Sequence, residues 1–193
     1  MICGLILAAG AGTRFGDQPK QLAKLEGRPL LEHAIAAQCA VPELGRIAVV
    51  LGAFAEQILD LVDFMRAEPV VCERWQDGQA ASLRRGIEYL SAEVHVNKVI
   101  VTLGDQPRMT SELIARFVDE PPATRALYDG RPGHPVVLGP VQMRLIGKLH
   151  GDHGARNLLQ GGNTIECGHL LSARDVDTPE DLEAIRNEAR AVV

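Results

Sequence analysis

The chain has 193 residues, 46% of them hydrophobic and 23% charged, with a formal charge of −5 at pH 7. That balance is typical of a globular protein with a substantial core, expected as one domain over residues 1–193. The acidic charge argues against a protein whose work is gripping a nucleic-acid backbone, so any anionic ligand must meet a local cluster of cations. The cysteines Cys3, Cys39, Cys72 and Cys167 are scattered without a CxxC pair, and they read as free, small core residues. No basic segment precedes the first apolar run, and nothing approaches membrane-spanning length, which makes the cytoplasm the expected compartment.

In chain order, the apolar run through Leu5, Ile6 and Leu7 reads as a buried parallel strand. It breaks into Ala8-Ala9-Gly10-Ala11-Gly12-Thr13-Arg14-Phe15-Gly16, with Pro19-Lys20-Gln21 following. Residues 30–38 carry Leu30, Leu31, Ala34 and Ile35 at helical spacing. A strand is expected at 47–51, a short amphipathic helix at 56–62, and a third strand at 70–72 after a boundary at Pro69. Residues 77–79 form a turn before a helix over 80–90, with Leu83, Ile87 and Leu90 on one face. The strand at 99–103 runs into Gly104-Asp105-Gln106-Pro107, and Thr110 is placed to cap a helix through 117.

Beyond Pro121-Pro122 the rhythm changes. Strands are expected at 123–128 and 135–138, joined through 129–133, then a helix at 140–149 and short strands at 163–167 and 174–176. Thr178 caps the last helix, with Pro179 at its first position and acids in its first turn. The alternation predicts a single-domain α/β fold, Rossmann-like, with a mostly parallel sheet and helices on both faces.

A glycine-rich loop after a first strand turns its backbone N–H groups toward whatever sits in the bend, and phosphate is the usual guest. Arg14 and Lys20 add two cations to that loop. A P-loop would need Gly-Lys-Ser or Gly-Lys-Thr, but Asp17 follows Gly16. A dinucleotide fold would want an acid at the end of the second strand, where this chain has Gly52-Ala53-Phe54. Asp105 and Asp177 each end a predicted strand, where ligands of open α/β sheets bind. Brought together they would repel unless a cation joined them, and hard oxygen ligands suit Mg²⁺. Read alone, Asp105 is equally a turn residue, and Asp177 reads first as a helix-start residue. Asp175, an alternation away on the same expected strand, is expected to face elsewhere.

The segment LAAGAGTRFG with Pro19-Lys20, then Gly27-Arg28-Pro29-Leu30-Leu31, resembles the signature loop of the MobA-like nucleotidyltransferases. Leu103-Gly104-Asp105-Gln106-Pro107 and the closing Asp175-Val176-Asp177-Thr178-Pro179-Glu180-Asp181-Leu182 are similar to two further motifs of that family. Gly133-His134-Pro135 and Gly151-Asp152-His153-Gly154-Ala155-Arg156 resemble its molybdenum cofactor cytidylyltransferase branch, which usually carries lysine at the position of His153.

The resemblance implies an NTP site formed by Leu7, Ala8, Ala9, Gly10, Gly12, Thr13, Arg14, Lys20, Gly78 and Ser82. It implies catalytic roles for Arg14, Lys20 and Asp105, Mg²⁺ on Asp105 and Asp177, and acceptor contacts at His134 and Arg156. The implied reaction joins CTP to the phosphate of molybdenum cofactor, with a molybdoenzyme receiving the product and neither nucleic acid nor membrane as partner. The alternatives are transfer onto a polyol or sugar phosphate, where Pro19-Lys20-Gln21 has a counterpart, or a non-catalytic cofactor carrier or chaperone.

Overall fold

The computed structural model describes residues 1–16, 18–92, 94–151, 154–168 and 174–191, the last three as backbone only. Nine strands are present among them: β1 Ile2–Ala8, β2 Lys24–Leu25, β3 Arg28–Pro29, β4 Arg46–Leu51, β5 Glu68–Val71, β6 Lys98–Leu103, β7 Arg125–Tyr128, β8 Arg131–Leu138 and β9 Thr164–Glu166. Six α-helices accompany them: α1 Leu30–Cys39, α2 Ala55–Leu61, α3 Gln79–Ser91, α4 Ser111–Ala115, α5 Pro140–Ile146 and α6 Pro179–Ala191. Seven strands form one sheet in the order β5-β4-β1-β6-β8-β7-β9, and β2 pairs with β3 in a small ribbon.

β5, β4, β1 and β6 run parallel, and β8 turns antiparallel to both β6 and β7. Successive residues of a strand face opposite sides, so β1 feeds two core layers. Ile6 packs with Ile35, Val49, Ile114 and Phe117, while Leu5 packs with Val50, Leu83, Ile87 and Val101. Both faces are covered, and the central strands are therefore continuous apolar runs rather than alternating ones. The chain leaves β1 toward β4 on one side and later returns to β6 on the other. That reversal of strand order opens a crevice beyond the carboxyl ends of β1 and β6.

Several expected boundaries move. Pro69 lies inside β5 rather than before it, which an edge strand tolerates because one side of its ladder needs no donor. The helix after Thr110 is short, although Thr110 Oγ1 does accept from Leu113 N at 3.2 Å as a cap should. The expected 129–133 connection shrinks to Asp129 and Gly130, whose φ values of 49° and 74° make a tight left-handed turn. β8 therefore begins at Arg131. The expected helix 140–149 ends at Ile146.

Residues 174–176 are not a strand. That segment docks through Val176 N–H onto the carbonyl of Asp105 at 2.9 Å and buries the Val176 side chain against Leu25, Leu30, Leu182 and Ile185.

Candidate active site

The loop after β1 is shaped by its glycines and held by Gln21. Gly12 has φ 59°, in the left-handed region, and a Cβ there would lie 3.1 Å from Lys20 Cγ. Glycine thus lets the Lys20 stem cross the loop closely. Gln21 Nε2 donates to the carbonyls of Ala8 and Gly10, both at 3.0 Å, tying strand end to loop. These contacts leave Lys20 8% exposed and pointed at the crevice floor.

Lys20 Nζ donates to Asp105 Oδ2 at 2.6 Å and to Asp177 Oδ1 at 2.9 Å. Arg14 Nη2 reaches Asp177 Oδ2 at 2.8 Å from an exposed position. Burial disfavours the Lys20 charge, but Asp105, and after it Asp177, outweigh burial and hold the pKa above the ordinary lysine value. Asp177 comes to this place through α6. Thr178 Oγ1 accepts from Asp181 N at 3.2 Å and Asp181 Oδ2 accepts from Thr178 N at 2.9 Å, a reciprocal cap of the helix start. Leu182 and Ile185 of that helix pack with Val176 on the β2–β3 ribbon and seat the segment.

Asp175 corrects the expectation that it turns away. Docked beside Asp105, it lines the adjoining second cavity, its Oδ1 accepting from Gln106 Nε2 at 2.8 Å, while Asp177 enters the cavity of Lys20 and Asp105. Although part of its surface stays open, burial first and the neighbouring Asp105 next push its pKa up to about 6.

Two cavities meet here. One, of about 540 Å³, is lined by Leu7, Ala9, Gly10, Gly12, Thr13, Arg14, Lys20, Gly78, Ser82, Asp105 and Asp177. Of the residues expected at the nucleotide, only Ala8 is absent from this lining. Its side chain turns into the core, so close that a Cβ on Gly104 would lie 2.8 Å from it. The second cavity, of about 460 Å³, holds His134 and Arg156, and it shares Gln79 and Leu103 with the first. Desolvation pushes the His134 pKa down to about 4, so the ring is neutral at pH 7 although part of the residue faces the opening. Asp152 and His153 of the 151–156 motif lie outside the described residues.

Sequence reasoning missed Trp75, Gln79 and Arg125. Trp75 stands in the first cavity three residues before Gly78, and an aromatic beside a glycine turn was a usable signal. Arg125 had none, because only the folding of the β7–β8 hairpin brings it to the second cavity. As the only tryptophan of the chain, Trp75 is also a reporter. Titration with CTP should change its emission saturably, and Trp75→Phe should abolish the signal. Emission unmoved by saturating nucleotide would place the base elsewhere.

The model of the MobA-like NTP transferase domain matches residues 4–168. The chain belongs to that family. It is 31% identical, over 94% of each chain, to nicotine blue oxidoreductase of Paenarthrobacter nicotinovorans. A stretch of 48 residues, 24% of this chain and 21% of the relative, is 52% identical to 2-C-methyl-D-erythritol 4-phosphate cytidylyltransferase of Nitrosospira multiformis. Among solved structures, Rv0371c of Mycobacterium tuberculosis H37Rv matches with TM-score 0.80 and 27% identity over 96% of this chain and 97% of that one. A complex of Rv0371c with manganese matches with TM-score 0.73 and 26% identity, over 96% and 98%. The MobA-like NTP transferases are nucleotidyltransferases that generally use a divalent metal. No helix of the described residues is long and apolar enough to cross a membrane.

The residues present fit such a metal. The Lys20 ammonium already stands as a cation between Asp105 and Asp177, and Asp105 Oδ1 is buried without a hydrogen-bond partner. No cluster of three or more His, Cys, Asp or Glu side chains is assembled among the described residues. Remaining ligands would be phosphate oxygens and water, the usual complement of Mg²⁺ at a nucleotide site.

Proposed function

We propose that the chain transfers CMP from CTP to the terminal phosphate of molybdenum cofactor in a Mg²⁺-dependent reaction that releases pyrophosphate. The observation that carries this reading is the Lys20–Asp105–Asp177–Arg14 cluster at the floor of the glycine-loop cavity, beside a second cavity large enough for an acceptor. A phosphate monoester has its second pKa near ~6, so the attacking oxygen is already anionic at neutral pH and no protein base is required. That oxygen bonds to the α-phosphorus as the bond to the β-phosphate oxygen breaks. A cation on Asp105 and Asp177 supplies charge neutralisation at the α-phosphate. Arg14, Lys20 and the N–H groups of the loop hold the β- and γ-phosphates and offset the charge of departing pyrophosphate.

The test is to incubate the protein with each of the four NTPs, Mg²⁺ and either molybdopterin or a polyol phosphate. Pyrophosphate release with CTP and molybdopterin is the expected result; release only with a polyol phosphate would move the acceptor to the class suggested by the erythritol phosphate relative. Base choice gives a second measurement. Ala9 carries a methyl group in the cavity wall, which takes room a purine needs, and such a difference is worth ~1 to 3 kcal/mol. Ala9→Gly should therefore relax the preference for CTP over GTP without reversing it, read as the ratio of kcat/KM values with one acceptor. Equal use of both nucleotides by the unmutated protein would remove the cytidylyl assignment.

The relative named nicotine blue oxidoreductase carries a second reading, a redox activity on the same fold. A dinucleotide ribose would want an acid after β4, and Gly52, Ala53 and Phe54 offer none. Oxidation of a reduced nicotinamide dinucleotide by nicotine blue, without pyrophosphate release from any NTP, would favour that reading.

A further inference from the structure

We propose that Arg125 selects the acceptor by pairing with the keto edge of a fused nitrogen heterocycle of the pterin class. This rests on the transferase reading above and names the recognition element within its second cavity.

Arg125 opens β7, where Ala126 and Tyr128 are buried in the core below the sheet, so its own side chain projects from the other face and lines the second cavity. There its guanidinium makes no hydrogen bond or ion pair among the described residues, and Nε is buried without a partner. A half-buried guanidinium left unpaired is unfavourable, so its place in a cavity wall calls for a ligand.

The surroundings decide which ligand. Arg156 lines the same cavity, but so does the carboxylate of Asp175, and His134 is neutral there. A bare anion attracted by the arginines would also meet Asp175. A 2-amino-4-oxo heterocycle suits both signs of charge at once. Its keto oxygen and adjacent ring nitrogen have the spacing that an arginine fork reads on guanine, while its amide N–H and amino group are donors for a carboxylate such as Asp175. Leu103, Val136 and Leu159 give the cavity apolar walls for the ring faces.

Position agrees with chemistry. β7 lies two strands from β6 in the sheet order, roughly 10 Å at ordinary strand spacing. The ring would thus be held away from the reacting phosphate at Asp105, as an acceptor with a linker between ring and phosphate requires.

The test uses 6-methylpterin, which is fluorescent and carries no phosphate. It should bind the full chain saturably, and Arg125→Gln and Arg125→Lys should each weaken binding roughly tenfold or more, because lysine lacks the two-donor fork. Lumazine, with an oxo group in place of the 2-amino group, should bind more weakly than 6-methylpterin. A retained CTP response at Trp75 in both variants shows that they are folded. No saturable binding, equal binding by the variants, or inorganic phosphate displacing the pterin from Arg125 at similar concentration would overturn the proposal. The two readings separate cleanly. Pyrophosphate release without Arg125-dependent pterin binding leaves the transferase standing and removes this inference, and Arg125-dependent binding without pyrophosphate release does the reverse.

Discussion

Asp105→Ala and Asp177→Ala should each lower turnover by about 10²- to 10³-fold or more while the protein stays folded. The two carboxylates converge on one ammonium at 2.6 and 2.9 Å, and in the proposed reaction they would hold the divalent cation. Losing either removes half of the protein's grip on that cation, and with it charge stabilisation of ~3 to 4 kcal/mol in the transition state. Folding should survive because Lys20 keeps the other aspartate as a partner, so no buried charge is left alone. The measurement is kcat at saturating Mg²⁺ with thermal melting alongside. A variant that melts normally and turns over at the unmutated rate would show that its carboxylate holds no metal.

Lys20→Ala should reduce kcat/KM by roughly 30- to 1000-fold, the effect of losing one charge-assisted contact to phosphate, ~2 to 4 kcal/mol. Lys20→Arg should recover only part of this, since a planar fork cannot occupy the space of a compact ammonium threaded over Gly12. The cluster also makes a prediction outside catalysis. Without Lys20, no cation joins Asp105 to Asp177, since Arg14 reaches only the latter, and the metal-free protein should melt lower than the unmutated chain. Mg²⁺ or Mn²⁺ should then raise the melting temperature more in Lys20→Ala than in the unmutated protein, because no ammonium competes for the carboxylates. An equal metal-induced shift in both proteins would mean that Lys20 and the metal do not share the carboxylates. Unchanged kcat/KM would take Lys20 out of the site.

The parallel half of the fold and the glycine-rich loop are legible in the amino-acid order alone. β1, β4 and β6 are covered on both faces, and a strand of that kind must be a continuous apolar run, visible without neighbours. The loop is legible for a related reason: glycines, Arg14 and Lys20 act within a short span, and close backbone approach demands particular residue types locally. Thr178, Pro179 and Asp181 announced the start of α6 equally well, since a helix cap is local chemistry.

What joins across long separations is set by packing. Lys20 meets Asp105 and Asp177 over 85 and 157 residues, and periodicity carries no record of such pairings. Residues 174–176 carried a short-strand reading, yet they dock singly because Val176 finds a pocket on the ribbon and not a free sheet edge. That docking, and not a strand's alternation, sets where Asp175 and Asp177 point. Arg125 reads as an ordinary charged residue at a strand start until the hairpin of β7 and β8 carries it to the second cavity. Local sequence can specify a strand, a turn or a cap, because each is satisfied by neighbours in the chain. A site made of side chains from four segments is specified only by the packing that brings those segments together.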